Sequence, residues 1–336
     1  MQNSKKRFII IGCGSIGQRH LKNLLALGVR DFILCDTSAE RLEKIKKEFS
    51  IENIYIDYKK AIKENKDITA AVIATPSSLH VPMAMDCAKA GINLFIEKPL
   101  SHKMDGVDEL IKIAKKKKLI AMMAMCYRFH PVFLKIKSML DKKAIGKIYH
   151  VNYYGGHYLP DWHPNMDYRK EYAAHKKLGG GVLLTSIHGF DNIRWLFGDV
   201  KEVAAFVDKI SSLEIDADDI VAGIFKMKKG FYVSASTDFL QRAGQHRMVI
   251  AGEKGTIRCD FSTGLIERYD VKKKNWIQEK VNFEINAMYV KETKYFLDCL
   301  KNKKQPLIDL DEGKRTLKLA LAIKESSEKR RFVNLT

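Results

Sequence analysis

The chain has no apolar run near the roughly 20 residues a helix needs to cross a bilayer, so the sequence offers no membrane-spanning helix. Its six cysteines (Cys13, Cys35, Cys87, Cys126, Cys259 and Cys299) form no CxxC pair. Scattered in this way through a long chain, they read as reduced core residues and point to the cytoplasm. Internal repeats and low-complexity linkers are also absent. The basic residues before Phe8 imitate the start of a signal peptide, but the apolar run stops at Ile11, where glycines intervene, and reads as a first strand. Carboxylates are in deficit: 40 Asp and Glu stand against 59 Lys and Arg, a formal charge of +19. Such an excess can mark a nucleic-acid partner. Here the lysines are spread along the chain, as in Arg41 to Lys47, and the densest run, Lys115 to Lys118, closes an expected helix where cations suit the dipole. No recognition helix accompanies them, so the expected partner is a small molecule rather than nucleic acid or membrane.

What is present is an ordinary globular composition, 46% hydrophobic and 29% charged over 336 residues, enough for two separate cores. The first ~125 residues alternate short apolar runs with amphipathic stretches, the pattern of a parallel sheet with crossover helices. Strands are expected at Phe8–Ile11, Phe32–Cys35, Asn53–Ile56, Ala70–Ala74, Asn93–Ile96 and Leu119–Met125. Helices are expected at Ser15–Leu27, Ser38–Glu48, Tyr58–Glu64, Leu79–Ala90 and Lys103–Lys117. Beyond Met125 come alternating segments at 147–154, 200–209, 218–227, 231–238, 247–251, 256–259 and 265–269, several separated by turn glycines. Helices are expected there at Pro131–Asp141, Val182–Phe197, Ala287–Lys301 and Asp311–Glu328. The fold class is therefore α/β. A doubly wound Rossmann domain spans residues 1–125, and an α+β domain with a large open, mainly antiparallel sheet spans 126–336.

Gly12-Cys13-Gly14-Ser15-Ile16-Gly17 follows the first strand and opens a helix. Gly12 allows the tight turn, Gly14 lets backbone approach a pyrophosphate, and Gly17 permits close helix–strand packing. The helix N-terminus favours the phosphate charge. Asp36 ends the second strand 19 residues after Gly17, where a carboxylate accepts hydrogen bonds from ribose hydroxyls and repels a 2′-phosphate. NAD is the expected cofactor, with Arg41 leaving room for NADP.

Glu97-Lys98-Pro99, Ala74-Thr75-Pro76 with His80, Tyr127-Arg128-Phe129-His130-Pro131, and Gly179-Gly180-Gly181 leading to His188 together resemble the glucose–fructose oxidoreductase/inositol dehydrogenase (Gfo/Idh/MocA) family. The resemblance covers most of the chain. It implies a Rossmann domain plus an open-sheet domain, and reversible oxidation of a sugar or cyclitol hydroxyl. It also implies homodimers or homotetramers formed through the exposed sheet face. Within it, Tyr158–Pro164 and Asp167-Tyr168-Arg169 are similar to a narrower group from surface-polysaccharide and sialic-acid-like sugar pathways. By resemblance, Lys98 is the catalytic lysine and His188 a histidine base or acid, while Thr75, Pro76, His80 and Glu97 belong to the cofactor side. Tyr127 and Arg128 belong to the substrate side.

That chemistry suits these residue types. Removing hydride from a secondary alcohol requires a group that takes the hydroxyl proton, and a lysine held beside the cofactor can polarise the oxygen and exchange that proton. The sequence departs from the family at one point. An aspartate usually precedes the histidine by three or four residues, and here Thr185 and Leu184 stand there. Asp191, one turn after His188, is the expected substitute, with Thr185 as a hydrogen-bonding group. The stretch 153–177 is rich in Tyr, His, Trp and Asp. Aromatic faces stack on sugar C–H surfaces while Asp and Arg bind hydroxyls or carboxylates, making Asp161, Trp162, His163, Tyr168 and Arg169 the pocket candidates. His150, His157 and His163 fit no zinc template, and no metal is expected. Two other readings stay open at this point: a non-catalytic dinucleotide-binding sensor or assembly subunit, favoured by Thr185, and a redox-neutral epimerase or lyase that regenerates NAD each turnover.

Overall fold

A computed structural model describes residues 6–335 and divides them into two units. One comprises the chain through Met125 together with Tyr289–Lys314; the other comprises Cys126–Met288 and Arg315 onward. The first boundary falls where the hydrophobic pattern changes character. Residues 289–314 belong to the N-terminal unit instead of continuing the C-terminal one, an exchange that no composition shift announces.

In the N-terminal unit the elements run β1 (Arg7–Ile11), α1 (Ser15–Ala26), β2 (Asp31–Cys35), α2 (Ala39–Phe49), β3 (Ile54–Tyr55), α3 (Tyr58–Glu64), β4 (Ile68–Ile73), α4 (His80–Lys89), β5 (Asn93–Ile96), α5 (Val107–Lys116) and β6 (Ala121–Met123). The sheet order is β3-β2-β1-β4-β5-β6, and every pairing is parallel. Parallel strands carry helices on both faces, which is why they read as unbroken apolar runs: Phe8 to Ile11 and Ala70 to Ile73 are almost fully buried. Local signals fix the helix starts. The Ser38 hydroxyl accepts from the Arg41 N–H at the head of α2, and the Asp57 carboxylate accepts from the Lys59 N–H at the head of α3.

The second unit contains α6 (Pro131–Asp141), β7 (Ile148–Gly156), α7 (Val182–Thr185), α8 (His188–Phe197), β8 (Val200–Asp208), β9 (Ile220–Met227), β10 (Tyr232–Asp238), β11 (Gln245–Gly252), β12 (Gly255–Asp260), β13 (Leu265–Asp270) and β14 (Asn275–Lys280). Helix α9 (Ile285–Asn302), helix α10 (Leu310–Lys329) and the short strand β15 (Val333–Asn334) complete the chain. Among the described residues, nine strands order as β14-β13-β12-β11-β7-β10-β9-β8-β15, antiparallel except for β7 beside β10. One face is covered by Phe190, Ile193 and Phe197 of α8 and by Leu319, Ala320 and Ile323 of α10. The register puts Phe206, Ile224 and Tyr232 together on the opposite face, all exposed.

Three sequence expectations change here. The single helix over Val182–Phe197 is two helices, because Ser186 and Ile187 break it and His188 opens the second. Leu184 therefore does not share a helix with His188 and Asp191. Strands β14 and β15 were not expected: the first is largely exposed and the second spans two residues, so neither carries a hydrophobic signature.

Candidate active site

The carboxyl edge of the parallel sheet gathers the N-terminal candidates. The β1–α1 turn is close-packed where it must be and open where a ligand needs room. Gly12 holds φ +91°, and a Cβ there would lie 2.6 Å from the Ala74 carbonyl oxygen. A Cβ on Gly17 would stand 1.9 Å from the Gly12 oxygen, whereas one on Gly14 would meet nothing within 4 Å. That open space beside Gly14, ahead of Ser15 and Ile16 at the N-terminus of α1, fits a pyrophosphate. Asp36 closes the other side. Its Oδ2 accepts from the Cys13 N–H at 2.8 Å, Oδ1 accepts from the Ser38 N–H at 2.9 Å, and Arg41 Nη1 donates to both oxygens. The residues fit a dinucleotide with unphosphorylated ribose, and the arginine held against Asp36 is the Arg41 singled out from sequence.

Two further loops meet beside this turn. His80 is buried, with Nε2 2.8 Å from the Thr75 carbonyl oxygen and Nδ1 2.7 Å from the Pro99 carbonyl oxygen. It thus ties the segment after β4, Thr75-Pro76, to the segment after β5, Glu97-Lys98-Pro99. Burial pushes its imidazole below the usual range against the pull of those two carbonyls. Glu97 is buried, receives His20 Nε2 at 2.8 Å on one oxygen, and accepts the Lys98 N–H at 3.1 Å on the other. Lys98 itself is half-buried at this edge.

In the second unit, His188 sits at the first position of α8. Its Nε2 is 3.9 Å from Cys126 Sγ, and the Tyr127 ring meets it edge-on at 4.9 Å. The same tyrosine meets His246 edge-on at 5.3 Å, and His246 Nε2 pairs with the Tyr153 hydroxyl at 2.7 Å. Burial, with His130 nearby, pulls His246 down to about 3. Burial likewise raises the Tyr127 and Tyr153 hydroxyls. Gly189 is required beneath this group, since a Cβ there would lie 2.8 Å from the Tyr153 ring. Sequence reasoning left Tyr153 and His246 unassigned, because a strand tyrosine and a solitary histidine carry no motif.

Several substrate-side candidates are committed to protein partners. Arg128 donates to both oxygens of Asp191 at 2.8 and 2.7 Å inside the core, and Thr316 Oγ1 donates to Asp191 Oδ1 at 3.0 Å. Burial works against this carboxylate, yet Arg128, Thr316 and Arg194 hold it below the usual range. Asp191 is thus a structural anion, not an open substitute for the missing aspartate. Thr185 Oγ1 donates to the Gly181 carbonyl at 2.7 Å. In the loop, His163 Nδ1 lies 2.6 Å from Glu171, Arg169 is paired with Asp167 and Glu214, and the Tyr168 hydroxyl accepts from the Glu214 N–H. Trp162 packs edge-on to Phe239 at 5.2 Å, while Asp161 is exposed. All six cysteines are buried thiols.

Comparison with known proteins follows this division. The profile of an oxidoreductase family with an NAD-binding Rossmann fold matches residues 6–125, and the GFO/IDH/MocA C-terminal domain matches residues 133–258. A myo-inositol 2-dehydrogenase from Thermotoga maritima is 28% identical over 345 residues, covering 98% of each chain. An NAD(+)-dependent scyllo-inositol 2-dehydrogenase from Bacillus subtilis is 29% identical over 57% of this chain and 54% of its own. A levoglucosan dehydrogenase solved with NADH superposes with a TM-score of 0.87 over 98% of this chain and 99% of its own; at 20% identity this likeness speaks to the fold.

Proposed function

The chain belongs to the Gfo/Idh/MocA oxidoreductase family and is an NAD-dependent dehydrogenase of CH–OH groups, and from that premise we propose that it oxidises a hydroxyl of a sugar, sugar acid, cyclitol or nucleotide-linked sugar, with Lys98 and His188 handling the proton. One observation carries the reading: the open Gly14 cradle and the Glu97-Lys98 segment stand on the same sheet edge, linked through Ala74-Thr75 and the His80 bridge.

Gly12, Gly14, Gly17 and the head of α1 hold the pyrophosphate, and Asp36 meets the adenosine ribose. NAD, when bound, supplies the hydride acceptor. In the oxidation direction the substrate C–H bond breaks with its electron pair, the carbon–oxygen double bond forms, and the hydroxyl proton is lost. Lys98 polarises the oxygen and exchanges that proton, and His188 acts as the partner acid or base. Thr185, with its hydroxyl turned to Gly181, does not replace the carboxylate that would support a protonated His188. A redox-neutral enzyme that regenerates NAD within each turnover is the second reading, set apart by product formation without net NADH.

The exposed Phe206, Ile224 and Tyr232 support association through the open sheet face, as a homodimer or homotetramer, which light scattering in solution checks. The buried thiols suit a reducing compartment, and we assign the protein to the cytoplasm.

Absorbance at 340 nm, followed with NAD and a panel of free sugars, sugar acids, cyclitols and nucleotide sugars, tests the central reading. A substrate-dependent rise that Lys98→Met abolishes is expected. Product formation without NADH accumulation selects the redox-neutral enzyme, and a Lys98→Met protein of unchanged rate removes the lysine from the mechanism.

A further inference from the structure

The glycine turn and the Glu97-Lys98 segment are joined by a side chain that neither motif contains. His20 lies on α1, three residues after Gly17, on the helix that the glycine turn opens. Its ring is fully buried. Phe95 of β5 meets it edge-on at 5.1 Å, and Phe296 of α9 stacks on Phe95 at 5.0 Å. Within this apolar packing His20 Nε2 lies 2.8 Å from Glu97 Oε1. A carboxylate accepts and does not donate, so the ring proton stands on Nε2 and the imidazole is the donor. Nδ1 closes no hydrogen bond among the described residues, which leaves Glu97 as the polar anchor of the ring among them.

Glu97 carries the connection onward. Its Oε2 accepts from the Lys98 N–H at 3.1 Å, so the carboxylate folds back beneath the residue that follows it. The Glu97 N–H donates to the Ile73 carbonyl at 2.9 Å and prolongs the ladder between β4 and β5. On the far side of Lys98, His80 Nδ1 lies 2.7 Å from the Pro99 carbonyl oxygen. Buried imidazoles thus hold the lysine backbone from both flanks, and they differ in what they tie it to. His80 links one loop to another, whereas His20 links the loop to the dinucleotide helix. Two apolar side chains would hold α1 against β5 without the cost of burying a carboxylate. What the hydrogen-bonded pair adds is direction: it fixes the oxygens of Glu97, and with them the peptide from which the Lys98 side chain departs.

We propose that His20 is a positioning residue for Lys98: by donating to Glu97 it sets the backbone of the lysine against the dinucleotide helix. This role rests on the catalytic reading of Lys98, whereas the chain of hydrogen bonds from His20 through Glu97 to the Lys98 amide does not. Proton exchange demands that the amine stand roughly 3 Å from the reacting oxygen, and a displacement of about 1 Å can cost on the order of a hundredfold in rate. His20→Leu fills the space of the ring but takes this donor from Oε1, which frees the carboxylate to turn and to release the Lys98 N–H. His20→Gln keeps an N–H donor close to the place of Nε2 and should preserve the connection.

The hydrogen-bond chain is tested without any substrate. Amide hydrogen exchange at Lys98 should quicken about tenfold in His20→Leu and little in His20→Gln, while the strand amides of Ile10 and Val72 keep their rates. Equal exchange at Lys98 in wild type and His20→Leu overturns the chain. Should His20→Leu fold poorly, nitrogen-15 spectra of the wild-type imidazoles decide: His20 is expected with its proton on Nε2, and a proton on Nδ1 overturns the chain. The role in catalysis is read from kinetics. On the first oxidised member of the panel, His20→Leu should lower kcat about tenfold to a hundredfold, with KM for that compound and Kd for NADH within about twofold of wild type. His20→Gln should recover most of kcat. A full kcat in His20→Leu, or a loss of NADH binding in step with kcat, overturns the positioning role. If no member of the panel is oxidised, that role falls together with the dehydrogenase reading, and exchange at Lys98 still decides whether the chain of hydrogen bonds is there.

Discussion

The Arg128–Asp191 pair sets a quantitative test of how the second unit is held. Both side chains are almost completely buried, at 7% and 1% exposure, and two short charge-assisted bonds join them. Thr316 donates to Asp191, and Arg194 Nη1 donates to the Thr316 hydroxyl at 2.8 Å. Asp191→Ala leaves the Arg128 guanidinium buried without its counter-ion, a change that costs about 3–5 kcal/mol. At roughly 2–4 °C per kcal/mol for a unit of this size, the melting temperature should fall by roughly 6–20 °C. Replacing both partners, Arg128→Met with Asp191→Leu, should be milder than the single change, because it removes the stranded charge along with the pair. The pH dependence has a definite sign. The folded state holds Asp191 below its usual range, so its contribution is complete above the unfolded value and disappears as pH falls through the depressed one. Melting curves between neutral and acid pH should therefore converge for wild type and Asp191→Asn at the acid end. Melting of Asp191→Ala within a degree of wild type, or a double variant less stable than the single one, would refute this account.

Two other perturbations follow from the dinucleotide cradle. Gly14→Ala, whose Cβ enters open space, should melt as wild type yet bind NADH at least about tenfold more weakly, about 1.4 kcal/mol. Gly17→Ala, driven against the Gly12 oxygen, should lose stability as well, by about 1–3 kcal/mol or more. Thermal shift with and without NADH separates the two, and equal behaviour of both variants contradicts the assigned roles. Asp36→Ser releases Arg41 and removes the charge facing a 2′-phosphate. The ratio of kcat/KM for NADP to that for NAD should rise at least about tenfold, and an unchanged ratio removes Asp36 as the discriminator.

The Rossmann half was legible because its signals are local and redundant. Unbroken apolar runs such as Phe8–Ile11 leave a parallel strand little alternative, and the glycine spacing is enforced by contacts within a single turn. Strand pairing in the second sheet was legible only in outline. Alternation shows that β8 to β13 are strands, but the parallel contact of β7 with β10 joins residues about 80 apart and has no local mark. The break at Ser186–Ile187 was hidden for a related reason. An apolar-rich stretch such as Val182–Phe197 keeps helical periodicity across two short helices, because both bury apolar side chains (Val182 and Leu183, then Phe190 and Phe197) in the same core.

The site was legible as motifs and not as pairings. Sequence spacing nominated Asp191 as a stand-in for a missing carboxylate, because one helical turn would bring it near His188. Which way a helical carboxylate faces depends on where its counter-ion lies, and Arg128 comes from 63 residues away. That almost fully buried arginine, with Thr316, commits the aspartate, since the cost of stranding either charge exceeds what a single substrate hydroxyl could return. The same logic hides His20: in sequence it is one histidine on an amphipathic helix, outside the glycine motif. Only the packing of α1 against β5 turns it into a buried donor to Glu97. Chemistry set by long-range burial is thus what a motif cannot carry, and in this chain such chemistry lies immediately behind the residues that the motifs did find.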